Sequence, residues 1–113
     1  MNVIKEPKDI SFDKVGIKGK IFPISELTKS TSLVLVETQL GHETTIIEHQ
    51  SDFTYYILEG NGYFLINDAK EECSQGDLVV IPAGTKFTYK GKFKMLLSCT
   101  PPWAKEQEET INQ

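Results

Sequence analysis

Few side chains in this sequence can move a proton near neutral pH. Only two histidines occur, His42 and His49, and imidazole is the group whose unperturbed pKa lies closest to neutrality. In an extended segment His49 shares a face with Ile47 while Glu48 faces the other way. His42 follows Gly41 at a turn and is expected on the surface. Phe53, Tyr55 and Ile57 alternate along one segment, and Phe87 and Tyr89 along another. An imidazole among such rings can orient a small molecule that is held by shape and aromatic area. It can also act as a general base with a phenol as acid. Two plainer roles stand beside these: the rings can fill the interior solidly, and the histidine can be a structural group bonded to a neighbouring hydroxyl.

The other reactive types carry less. Phe93, Met95, Leu97 and Cys99 alternate, which makes Cys99 a small buried hydrophobe rather than a nucleophile. Cys73 follows Glu71 and Glu72, and nearby carboxylates raise a thiol pKa. Two cysteines without CxxC spacing fit neither a disulfide framework nor a zinc site. Lys86, Lys90, Lys92 and Lys94 form a basic stretch that either draws an anion or protects a strand edge from pairing.

The elements that must position these residues are short and strand-like. Apolar runs at Leu33 to Val36, Thr44 to His49, Phe53 to Leu58, Tyr63 to Ile66, Leu78 to Ile81 and Phe93 to Cys99 are separated by turn formers such as Gly41, Gly60-Asn61-Gly62, Gly76-Asp77 and Pro82-Ala83-Gly84. This punctuation predicts an all-β sandwich or barrel. Helix is confined to one turn at Ser25 to Lys29 and a short tail helix at Lys105 to Ile111, with 104–113 as a polar surface tail.

Two stretches carry a family resemblance. The first, at about 41–62, runs from Gly41 through Ile47, His49 and Phe53 to Gly60-Asn61-Gly62; the second, at about 76–91, runs from Gly76-Asp77 through Pro82-Ala83-Gly84 to Gly91. In order, spacing and turn chemistry they resemble the two cupin motifs. The resemblance implies a cupin-type double-stranded β-helix, a jelly-roll barrel, formed as a single domain by residues 1–113. In that family the motifs supply two histidines, a glutamate and a third histidine to a divalent metal. Here Ile47, His49, Phe53 and Phe87 stand at those positions. Transition-metal sites draw three or four donors from N, O and S, and isoleucine and phenylalanine offer none, so no metal and no cofactor is expected.

The leading reading is a non-metal cupin that binds a small, partly apolar organic ligand among Ile47, His49, Phe53, Tyr55, Phe87 and Tyr89, in a binding or accessory role. Two alternatives stay open: a metal-independent isomerase or epimerase with His49 as general base, and a metal-dependent cupin with atypical ligands such as His49, Glu48 and Asp52. A net charge of −4 and the absence of arginine disfavour nucleic acid as a partner. No apolar run is long enough for a bilayer. Met1 to Pro7 lacks an apolar stretch of signal-peptide length, and the expected location is the cytoplasm. A homodimer is expected from the resemblance and from Leu33 to Val36, which reads as covered on both faces.

Overall fold

Alternation of β-branched and aromatic side chains with polar ones drives more than half of the chain into strands. The computed structural model describes residues 2–111 and contains nine: β1 Phe12–Lys14, β2 Ile17–Ile21, β3 Ser32–Thr38, β4 Thr45–Glu48, β5 Asp52–Ile66, β6 Ala69–Ser74, β7 Leu78–Ile81, β8 Lys86–Thr100 and β9 Glu108–Ile111. All pairings are antiparallel, and the order β1-β2-β3-β8-β4-β9 is completed by β5, which pairs with β8, β7 and β6. Among the described residues there is no α-helix, and none long and apolar enough to cross a membrane.

Strands β5 and β8 form the spine. They run against each other from Asp52↔Thr100 to Ile66↔Phe87, with a bulge between Ile57 and Glu59. On its other edge β5 takes β7 beside Phe53 to Tyr56 and β6 beside Asn61 to Ile66. Gly62 faces Gly91 where the two long strands bend. A Cβ on Gly62 would lie 2.1 Å from the Lys90 carbonyl oxygen, and one on Gly91, at φ +132°, 2.5 Å from that of Asn61. Only glycine lets the backbones approach this closely.

Inside the curled sheet Ile57, Phe64 and Met95 are fully buried. Phe64 packs on Tyr89 with ring centroids 4.9 Å apart and on Tyr55 at 5.2 Å. Such ring pairs add to the free energy of apolar burial.

Two elements, the tail and β6, differ from the sequence reading. The tail forms a short 3-10 turn, Lys105–Gln107, and then β9, which pairs with β4 from Thr45↔Ile111 to Glu48↔Glu108; the open edge of β4 supplies partners that a polar segment cannot find in itself. Residues 112 and 113 of the expected tail lie outside the described residues. Charged Lys70-Glu71-Glu72 hides β6, an outer strand satisfied by pairing with β5 alone. Near Ser25 the chain makes the single turn expected there, with the N–H groups of Leu27 and Thr28 donating to the Ile24 carbonyl oxygen.

Candidate functional site

The phase of β4 decides which histidine faces the interior. Ile46 and Glu48 point inward and are buried, whereas Ile47 is half-buried and His49 exposed. Glu48 can be inside because its Oε1 accepts the backbone N–H groups of Gln50 at 2.7 Å and Ser51 at 2.9 Å, which replace its lost hydration. The expected inward placement of Ile47 and His49 is therefore corrected. Adjacent Ile46 and Ile47 leave the alternation without a marked phase, and a shift of one residue turns every side chain to the other face. The His49 side chain keeps 52% of its exposure, with Nε2 2.8 Å from Glu109 Oε1 on β9.

A cavity of about 350 Å³ opens among β1 to β4, β5, β8 and the segment leading into β9. Phe53, Tyr55 and Tyr89 line it, as the alternation on β5 and β8 predicts, together with Val34, Val36, Ile46 and Leu97. Phe87 does not reach it. Its ring is buried behind the cavity wall, stacked on Phe64 at 6.4 Å and edge-to-face on Phe53 at 6.0 Å. Cys99 lines the cavity as a buried thiol, and burial pushes its pKa up to about 12.

The imidazole in this cavity belongs to His42, only 6% exposed rather than on the surface. Gly41, at φ +112°, lies so close to β8 that a Cβ there would sit 2.3 Å from the Tyr89 carbonyl oxygen. Its bridge to Lys90 and the His42 N–H bond to Tyr89 press the next residue against the barrel. A glycine marking such an approach is the one signal in the sequence for this placement. Lys90 Nζ donates to the His42 carbonyl oxygen at 2.7 Å, and Thr88 Oγ1 donates to the Thr44 carbonyl oxygen at 2.9 Å.

The tautomer of His42 follows from its contacts. Nδ1 lies 2.8 Å from the Thr44 carbonyl oxygen and 3.2 Å from the Thr44 backbone nitrogen; the shorter contact is to a group that only accepts, which favours the proton on Nδ1 and the lone pair on Nε2. Burial pulls the His42 pKa down to about 4, against the Thr44 hydrogen bond and with help from the Lys90 and Lys14 ammonium groups. The ring is neutral at physiological pH. Burial also pushes the Tyr55 and Tyr89 phenols well above their ordinary range, with smaller repulsion from Tyr89 and Cys99 on Tyr55 and from Glu108 on both.

Among the described residues neither phenol and no Nε2 of His42 has a protein hydrogen-bond partner, although Tyr55 is 3% and Tyr89 1% exposed. No wholly enclosed side-chain N or O is left unpaired among the described residues, so these three atoms remain within reach of the cavity. Sequence reasoning also missed Glu108 and Trp103, which line it as well; the Trp103 indole Nε1 donates to Glu108 Oε1 at 3.1 Å.

A divalent metal does not fit the positions that the motifs reserve for one. His49 faces away, Phe53 and Phe87 offer no donor, and no group of three or more His, Cys, Asp or Glu side chains gathers among the described residues.

No family model matches the chain. The uncharacterized protein MJ1618 of Methanocaldococcus jannaschii is 31% identical over 121 residues, covering 98% of this chain and 97% of that protein. An RmlC-like cupin from Shewanella frigidimarina shares the fold, with a TM-score of 0.67 at 14% identity over 87% of this chain and 86% of that one. The chain is a cupin of the MJ1618 family. This cupin is also similar to Pac13, a nucleoside dehydratase, with a TM-score of 0.88 at 25% identity over 98% of this chain and 92% of that one. Streptomyces PAC13 variants H42Q, Y55F and Y89F, each with uridine, match at TM-scores of 0.90, 0.88 and 0.88 and identities of 23%, 24% and 24%, over 99% of this chain and 92%, 93% and 93% of theirs.

Proposed function

We propose that this cupin binds a small, uncharged, partly apolar molecule of nucleoside type in the barrel and removes water from it by metal-independent acid–base chemistry. The observation that carries the reading is that three polar atoms, His42 Nε2 and the Tyr55 and Tyr89 hydroxyls, open on one apolar cavity and have no protein partner among the described residues. Polar groups facing an apolar cavity take their partners from whatever fills it, and a ligand supplies them here. Further support is that this chain has His42, Tyr55 and Tyr89 under the numbers substituted in the uridine-bound PAC13 variants.

The chemistry follows from the protonation states. Neutral His42 takes a proton from carbon beside a carbonyl, and that C–H electron pair passes into an enolate. The phenols, kept protonated, donate to its oxygen as the charge develops. Collapse of the enolate expels the hydroxyl on the neighbouring carbon, which leaves as water with the proton carried by the imidazolium. His42 takes the role expected of His49, while Phe53, Tyr55 and Tyr89 keep theirs as ligand contacts.

Incubation with nucleosides and their aldehyde or ketone derivatives tests the reading by mass spectrometry. Loss of one water from a carbonyl derivative, abolished in H42Q, is expected. Binding without any mass change would reduce the protein to a binding module, and no binding at all would end the proposal.

The remaining expectations belong to the same reading. The protein acts in the cytoplasm as a homodimer, and the second copy covers the exposed Tyr56, Leu78 and Val80 on neighbouring strands β5 and β7. Sedimentation at tens of micromolar tests this, and a concentration-independent monomer would refute it.

A further inference from the structure

We propose that Glu108 is the hydroxyl anchor of the cavity, a carboxylate that receives neighbouring ring hydroxyls of a sugar, as in a ribose. This deepens the reading above and rests on it. Glu108 opens β9, and its side chain lines the same cavity as His42, Tyr55 and Tyr89. The Trp103 indole holds one oxygen, Oε1, at 3.1 Å, and among the described residues no other side chain bonds the carboxylate. An ionised carboxylate has about four lone-pair sites, so most of its acceptor capacity is left for whatever fills the cavity.

The surroundings keep this group available. Burial raises the Glu108 pKa, while the Trp103 hydrogen bond and the nearby Lys14 ammonium act against that rise. Lys14 itself lines the cavity with its Nζ 5.8 Å from the centre of the Trp103 ring. An acceptor-only carboxylate selects O–H donors and repels anionic ligands. Trp103 and Phe12 line the same cavity and contribute apolar surface that can meet the C–H face of a sugar. If Glu108 served only to seat the indole, one oxygen would suffice and glutamine would do as well.

That difference makes the test. Calorimetric titration of the full chain with uridine, 2′-deoxyuridine and 2′,3′-dideoxyuridine is expected to give stepwise weaker binding, roughly tenfold or more between the first and the last, because a site built to bond hydroxyls rejects analogues that lack them. In E108Q the side-chain oxygen still accepts from the indole, but uridine is expected to bind as weakly as dideoxyuridine, whose affinity stays unchanged. E108D, which withdraws the carboxylate by one methylene, gives the same selective loss and serves if E108Q does not fold. Equal wild-type affinities for the three nucleosides, or a loss in E108Q common to all of them, would overturn the anchor and leave the cavity reading standing. Binding of none of the three would overturn both.

Discussion

The His42 imidazole stands edge-on to the Tyr89 ring, with centroids 5.6 Å apart and planes at 84°. The contact joins the segment before β4 to the beginning of β8 and exists because Gly41 lets the two backbones meet. Tyr55 completes the group, 5.7 Å from Tyr89 between ring centroids.

Gly41→Ala should break this arrangement. The new Cβ would meet backbone, and positive φ adds strain, so a loss of about 2 kcal/mol or more is expected in urea unfolding. Ligand binding should fall with it, since His42 can no longer rest against Tyr89. An alanine variant of unchanged stability would show that the approach is not needed.

The depressed His42 pKa links folding to pH. The unfolded chain protonates this histidine near 6.5 and the folded one near 4, so between those values the unfolded state binds more protons and stability rises with pH. Acidification from pH 6.5 to 4 should cost up to about 3 kcal/mol from this group. H42Q should lack that part of the slope in denaturant titrations across the window.

Glu108 has the opposite sign. Its folded pKa is raised above 4.5, so its contribution to stability is complete below the unfolded value and is lost as pH rises through the folded one. At pH 7 E108Q should therefore melt at the wild-type temperature or above it, and the difference should vanish toward pH 4. A stability gain accompanied by loss of uridine binding is the pattern of a functional group retained at a cost in stability.

His49→Ala should do little. The exposed His49–Glu109 pair is expected to be worth at most about 1 kcal/mol, and nucleoside binding should be unchanged because the side chain is outside the cavity. Binding that falls with His49→Ala would mean that β4 has the opposite phase in solution.

The spacing of glycines, prolines and apolar runs was enough to identify the cupin barrel, because each corner needs a conformation that few residues reach and each strand needs a period of two. The same alternation placed Phe53, Tyr55 and Tyr89 on the cavity side, since on β5 and β8 polar neighbours mark the phase. It could not do so on β4, where Ile46 and Ile47 are both apolar and Glu48 goes inside only because two backbone N–H groups wait there. Local pattern was silent on His42, whose burial depends on a glycine touching a strand far along the chain, and on Glu108, whose segment is a strand only because β4 offers an edge. The sequence by itself determined the barrel and one aromatic wall of its cavity. Tertiary structure decided which histidine and which carboxylate line it, because non-local backbone contacts, not side-chain periodicity, set those positions.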